Sequence, residues 1–380
     1  MARKKKEETS GMDSKDLLKS HLDSTKENHF NYDAETELPK SSSGSLLVDL
    51  QLNGGFEPCI IRPVGNTQSG KTASTLEHLR IFLSDESESR KGLYIKSEGR
   101  LSKSKRESSG VKFVSDPQDW EDGTCFILKT NIYEDVINLL RELIRRKNNI
   151  PYTRYWFIFD SMDGLIGIDD FEKKAEDAVK VAGGALLTST FLKNFSLYMH
   201  ETGHYASMIG QMRSSGPQNP YGEKSQKVGS ASGGNAIQHY ADWIFEYYPA
   251  NKYIFDDYSV DGRDPKKKII GHYARFIIKK GDKDERDIMV EYPILYGRKG
   301  GAVFKELEIV DVGFYLNLFI KKGAWITFDD SLKMHCASHN ITLPETIQGQ
   351  RSLIQLIMDS PDLAELVYKY IYNILQSMKS

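Results

Sequence analysis

The residues richest in chemistry are the eight from Gly65 to Thr72, Gly65-Asn66-Thr67-Gln68-Ser69-Gly70-Lys71-Thr72, a full match to G-x-x-x-x-G-K-[ST]. The match sits between an apolar run and a helical pattern that begins Lys71-Thr72-Ala73. Glycines at both ends let successive backbone N–H groups curl around an anion, and the start of the following helix adds its positive end. Lys71 then reaches the outer phosphates of a nucleoside triphosphate, and the Thr72 hydroxyl is offered to Mg²⁺. A second element is the run Tyr155-Trp156-Phe157-Ile158-Phe159-Asp160, apolar residues ending in an acid. It reads as a buried parallel strand that delivers a carboxylate to its C-terminal edge. Asp160 is the candidate for the Mg²⁺ water shell, with Asp163 its rival. Hydrolysis also needs a group to orient or deprotonate water. Glu98 and Gln211 both follow apolar strand-like runs, and spacing alone does not choose between them.

These groups can meet only if several strands carry them to one edge. Short β-rich runs at 58–64, 92–95, 124–128, 156–160, 205–210, 242–248, 273–278 and 288–292 alternate with helical patterns at 71–82, 133–145 and 172–200. This is the sequence form of an α/β fold, a mostly parallel central sheet flanked by helices. Pro63 resists the pattern, because proline in a central strand removes a ladder donor. After Gly301 the chain turns helix-rich. Its last helix starts with Ser360 as N-cap and Pro361 at the first helical position, and places Leu363, Leu366, Val367, Tyr370, Ile371 and Ile374 on one face.

The chain has 380 residues, 39% of them hydrophobic, so it can bury a sizeable core. Lys+Arg 51 against Asp+Glu 53 leaves a net charge of −2, which excludes a globally basic nucleic-acid protein and confines any such role to local patches. No run approaches the roughly 18 apolar residues of a membrane span, and the opening Arg3-Lys4-Lys5-Lys6 leads into Glu7-Glu8 rather than an apolar signal core. A soluble, cytoplasmic protein without membrane contact is expected. Cys59, Cys125 and Cys336 lie far apart, which suits a reducing compartment. Residues 1–40 are polar apart from a short stretch with Leu17, Leu18, His21 and Leu22 on one helical face behind Asp13, the pattern of an arm.

From Ser43 to about Phe328 the chain resembles the RecA family of DNA recombinases from bacteria and phages. Beyond the phosphate loop, the likeness is carried by Gly44-Ser45-Leu46 before Gly54-Gly55, Phe159-Asp160-Ser161, Gln211-Met212-Arg213, Gly233-Gly234-Asn235-Ala236, Ile294-Leu295-Tyr296-Gly297, Val310-Asp311-Val312-Gly313 and Lys322-Gly323-Ala324-Trp325, in that order. The resemblance implies a RecA-type P-loop ATPase core at 41–301, an N-terminal polymerisation arm at 1–40 and a small C-terminal α/β lobe at 302–380. It implies ATP and Mg²⁺ as cofactors, bound by residues 65–73 with Asp160. It makes Glu98 the glutamate that activates water, and Gln211 the glutamine that senses the γ-phosphate.

The same resemblance implies two DNA-binding loops. One lies near Gly164–Lys180. The other runs from Met212 to Ser232, with Arg213, Lys224 and Lys227 as phosphate contacts and Gly233, Gly234 and Asn235 closing it; Lys193 aligns with a further basic contact position. Lys280 matches one of two lysines that reach a neighbouring protomer's nucleotide; the second position reads Asp282, beside Lys283. The implied function is an ATP-dependent recombinase that forms helical filaments on single-stranded DNA and pairs it with double-stranded DNA. A ring-forming ATPase of the same fold, such as a DNA helicase, and a regulatory recombinase paralogue are the alternatives. Three departures mark a divergent or phage-encoded member. Lys105 stands where bacterial relatives stack an aromatic on adenine, Gln238-His239 replaces a lysine and a phenylalanine, and the acidic tail is missing.

Overall fold

The computed structural model describes residues 13–25, 38, 40–98, 101–145, 152–172, 183–211, 234–281 and 287–377. The chain divides into two compact units, 1–39 and 40–380. In the first, helix α1 (Ser14–Ser24) follows Asp13, which occupies the N-cap position without a side-chain cap bond. Leu17 and Leu18 of α1 are exposed.

The second unit is built on a twelve-stranded sheet. Its strands are β1 (Ile60–Gly65), β2 (Ser89–Lys96), β3 (Lys112–Val114), β4 (Thr124–Leu128), β5 (Thr153–Asp160), β6 (Tyr205–Met208), β7 (Gly210–Gln211), β8 (Trp243–Tyr248), β9 (Tyr253–Phe255), β10 (Val260–Asp261), β11 (Ile269–Lys280) and β12 (Ile288–Leu295). The order across the sheet is β10-β9-β11-β8-β1-β6-β5-β2-β4-β3, with β12 paired to β11 and β7 to β1. From β3 across to β8 every pairing is parallel. Beyond β8 the ladders are antiparallel.

Helix α2 (Leu46–Gln51) precedes β1, and α3 (Lys71–Leu83), α4 (Lys103–Ser109), α5 (Tyr133–Arg145), α6 (Ile168–Glu172), α7 (Gly183–Glu201) and α8 (Gly234–Tyr240) lie between the strands in sequence. Apolar side chains cover both faces of the sheet, as a buried parallel sheet requires. Strand β5 shows how: residues 154–159 are buried without interruption. Trp156 and Ile158 face a core with Phe56, Leu79, Phe82 and Phe245, while Phe157 and Phe159 face Ile137, Leu140, Phe191 and Phe195 on the other side. Trp156 stacks on Tyr205 at 4.7 Å between centroids and donates from Nε1 to Ser207 Oγ at 3.0 Å.

Pro63 sits inside β1, between strands on both sides. The ladder to β8 runs without a break from Ile61↔Trp243 to Gly65↔Tyr247. The other ladder is broken: β6 pairs at Ile60 and Ile61, β7 resumes at Val64 and Gly65, and the gap falls at Arg62-Pro63. The expected single strand at 205–210 is therefore two. Ile209, between them, donates to Phe159 O at 3.1 Å and accepts from Met162 N at 3.1 Å. The missing N–H of proline is thus accommodated by a local kink rather than by moving the strand to an edge.

Some elements escaped the sequence pattern because they are too short to show a period. These are β3, β9 and β10, the last two within the segment 251–268, and α4, which contains Lys105 in an exposed position. The helix expected over 172–200 corresponds to α7, preceded by the short α6; the residues between them lie outside the described set.

After residue 301 come α9 (Lys305–Tyr315), β13 (Phe319–Lys322), β14 (Trp325–Phe328), α10 (Asp330–Ser338), β15 (Ile347–Gln348), α11 (Gly349–Asp359) and α12 (Pro361–Ser377). The three strands form their own antiparallel sheet. Helix α12 begins at Pro361, and Leu363, Val367, Ile371 and Leu375 are buried against Phe304, Val310, Phe328 and Leu353.

One acid ties this region to the segment before the phosphate loop. Glu308 of α9 is fully buried and accepts from Leu46 N at 3.0 Å and from Ser45 Oγ. Burial, reinforced by nearby Asp49, pushes its carboxyl from 4.5 up to about 8. A raised folded-state value favours the protonated form, so the stabilisation is present below about pH 4.5 and is lost as pH rises through about 8. Thermal melts between pH 5 and 9 should show a steeper alkaline fall in Tm for the wild type than for Glu308→Gln; parallel curves would contradict this assignment.

Candidate functional site

The loop after β1 turns through three left-handed positions, Gly65 at φ 147°, Gln68 at 62° and Gly70 at 98°. Gly65 is obligatory for space as well, because a Cβ there would lie 2.5 Å from Tyr247 O. Gly70 is the N-cap of α3, so Lys71 and Thr72 open the helix with their side chains beside the loop. Asn66, Thr67 and Gln68 are exposed at the mouth, and Ser69 is buried and donates from Oγ to Asn66 O at 2.8 Å. Lys71 is only 8% exposed; its Nζ donates to Gly65 O at 2.8 Å and Asn66 O at 2.7 Å. Burial lowers the Lys71 pKa, while Asp160, Glu98 and Asp163 pull it back. The loop therefore holds a partly desolvated cation against its own carbonyls, facing three carboxylates.

Those carboxylates arrive on neighbouring strand ends. In the β2–β5 ladder Lys96 pairs with Asp160, and two residues further on Glu98 N donates to Asp160 O at 3.3 Å. Asp160 Oδ2 accepts from Thr72 Oγ1 at 3.2 Å and from Tyr94 OH. Burial and Asp160 together push the Tyr94 phenol well up. The Asp160-Ser161 peptide is cis. Asp163 has a different place: it accepts from Gln211 N at 3.0 Å. The two candidates for handling water lie in contact, with Gln211 Nε2 donating to Glu98 Oε2 at 3.2 Å and to Oε1 at 3.4 Å.

Three neighbours of Glu98 had no role assigned from the sequence. Ser161 Oγ donates to Glu98 Oε1, and Ser97 Oγ donates to Ser161 O at 2.5 Å. Gly164 packs so closely that a Cβ would lie 2.9 Å from both Glu98 Cγ and Ser97 Oγ. The available signal was position alone: small residues directly after two strands that end at the same edge.

The other expected contacts are scattered. Lys193 is exposed on α7. Lys280 is exposed at the end of β11 and donates from Nζ to His239 O at 2.8 Å and Gln238 O at 3.4 Å. It pairs with Ile244 near the start of β8, whereas Gly65 pairs with Tyr247 near the end of that strand, so Lys280 does not join its own chain's loop. Arg213, Lys224, Lys227 and Gly233, with Asp282 and Lys283, lie outside the described residues; Gly234 and Asn235 open α8. Of the stretch 164–180, the part to Glu172 is described, and Ile168 and Phe171 are exposed there.

Known proteins resemble this chain along most of its length. Proteins named RecA from Rickettsia canadensis and Rickettsia bellii are 25% identical over 334 residues and 24% over 339, covering 87% and 88% of this chain and 82% and 84% of theirs. The RecA of Campylobacter fetus is 25% identical over 298 residues, 76% of this chain and 74% of its own. These distant but consistent matches support a divergent relative of the RecA family. Its RecA-type architecture, parallel sheet and phosphate loop are those of a P-loop ATPase. No family model matches the sequence. Among solved structures, a KaiC-like protein from Pyrococcus horikoshii aligns over 70% of this chain and 98% of its own at 15% identity and a TM-score of 0.41. Among the described residues of this RecA relative, no helix is long and apolar enough to cross a membrane.

Gly164→Ala should displace Glu98 rather than unfold the protein. Overpacking of this kind costs about 1–3 kcal/mol. Steady-state ATP hydrolysis is expected to fall by roughly an order of magnitude, with a lowering of Tm by a few degrees. Unchanged turnover in a folded variant would show that the close approach of Gly164 to Glu98 is immaterial.

Proposed function

We propose that this protein is an ATP-dependent DNA recombinase that assembles into helical filaments on single-stranded DNA and promotes homologous pairing and strand exchange with duplex DNA, in the cytoplasm of a bacterium or a phage-infected cell. Residues 1–40 serve as the polymerisation arm, 41–301 as the ATPase core and 302–380 as a lobe that gathers duplex DNA. The observation that carries this reading is the contact between Gln211 and Glu98. Gln211 is the last residue before the segment 212–233, whose Arg213, Lys224 and Lys227 would grip DNA phosphates without reading sequence. A change at that segment therefore acts directly on the carboxylate expected to handle water.

The residues present fit Mg²⁺·ATP. The left-handed turns and free space beside Gly70 form an anion cradle, and the partly desolvated Lys71 lacks a carboxylate ion pair in the loop. Residues 65–73 would hold the phosphates, with Thr72 and Asp160 holding the magnesium. Bound Mg²⁺·ATP supplies an electrophilic terminal phosphoryl group. Glu98 orients water and accepts its proton, Ser161 and Gln211 fix the direction of its carboxylate, and Lys71 neutralises charge on the phosphates. Lys280 would act from a neighbouring protomer, in the manner of an arginine finger.

Purified protein should hydrolyse ATP faster when single-stranded DNA is added and should form filaments by negative-stain microscopy in an ATP analogue. Absence of both would overturn the proposal, and a closed hexamer that unwinds duplex directionally would assign the chain to the helicases instead. Lys71→Ala and Lys280→Ala should each be inactive alone. Mixed together they should recover measurable ATPase activity, since some interfaces then pair an intact loop with an intact lysine; no recovery would place the whole site within one chain.

A further inference from the structure

Tyr94 is the polar side chain in the buried run Gly92–Ile95 of β2, and nothing above gives it a task. It is 1% exposed, and its ring packs edge-on against Phe113 at 6.0 Å. In the parallel register Tyr94 pairs with Ile158, so Asp160, two residues beyond Ile158, points to the same face. The phenol hydroxyl meets Asp160 Oδ2 there, on the oxygen that Thr72 Oγ1 also reaches. A carboxylate offers no proton, so both hydroxyls donate. Among the described residues no hydrogen bond reaches Oδ1.

The two donors differ in what else they are needed for. Thr72 belongs to the phosphate loop, and its hydroxyl is the group expected to turn to the cation. Tyr94 comes from a buried strand with its ring fixed by packing, and its hydroxyl has no second duty. If Thr72 turned to a cation, Tyr94 would still hold Oδ2 and leave Oδ1 to serve the metal. Groups behind a metal's direct partners commonly change its affinity by about 10–100-fold.

We propose that Tyr94 is a positioning residue for magnesium, fixing which oxygen of Asp160 serves the cation. The inference rests on the proposed magnesium role of Asp160. Its sequence signal is a lone hydroxyl in an otherwise apolar strand, Gly92-Leu93-Tyr94-Ile95.

The test is a magnesium titration of the full-length protein with a fluorescent ATP analogue, read as binding and not as turnover. Tyr94→Phe removes one oxygen and keeps the ring against Phe113. It is expected to raise the half-saturating Mg²⁺ concentration roughly three- to tenfold, to leave analogue affinity at saturating Mg²⁺ within about twofold, and to leave the thermal melt nearly in place. Asp160→Asn should raise the midpoint at least as far, and the double variant no further than Asp160→Asn alone. A normal midpoint for Tyr94→Phe beside a raised one for Asp160→Asn overturns the role of Tyr94 and leaves that of Asp160 standing. Additive effects also overturn it, because Tyr94 would then act elsewhere. A normal midpoint for Asp160→Asn removes the magnesium role of Asp160 and the role of Tyr94 with it.

Discussion

Register between parallel strands is the constraint on which the phosphate site depends. Gly65 faces Gln211 across β1 and β7, Lys96 faces Asp160 across β2 and β5, and Phe159 faces Met208 across β5 and β6. Because strand side chains alternate between faces, a slip of one residue in β5 would turn Asp160 away from Thr72 and bring Phe159 in its place. The five buried residues Tyr155–Phe159 of β5, large and divided between two separate cores, make such a slip costly. The apolar interior and the polar edge are therefore one design: the first sets the distances that the second uses.

At that edge the structure concentrates polar groups that would be unfavourable elsewhere. Lys71 is nearly buried with two carbonyl partners, and Glu98 is bounded by Ser161, Gln211 and the Cβ-free side of Gly164. Such arrangements persist where the surrounding fold enforces them, and they cluster at sites of chemistry. The rest of the molecule is ordinary by comparison. Cys59, Cys125 and Cys336 are all buried thiols in no disulfide, and His78, buried among Phe56 and Trp156, is held neutral because burial drives its imidazole down to about 3.

Much of this was legible in the residues. The phosphate loop, the apolar run into Asp160, helix Tyr133–Arg145 and the stripe on the last helix all follow from local pattern, since each has a fixed period or a fixed spacing. The pairing of Glu98 with Gln211 was not legible, because 113 residues separate them and only strand order brings them together. Pro63 shows a related limit: its chemistry forecasts a missing ladder bond, but which neighbour adapts depends on the β6–β7 kink. Tyr94 reads as one more strand residue until its hydroxyl is seen against Asp160. Glu308 belongs to no sequence motif, and only the fold brings it to Ser45 and Leu46.

Lys280 carries a consequence for assembly. In the single chain its ammonium rests on the last carbonyls of α8, Gln238 and His239, where a positive charge compensates the negative end of the helix. That helix directly follows the segment 212–233. Under the proposed function the same ammonium serves a neighbour's nucleotide, and one flexible side chain cannot neutralise both partners at full strength. Assembly would then draw a charge from the carboxyl end of α8 as it completes the adjoining site, giving each protomer a mechanical sense of whether its neighbour holds a triphosphate.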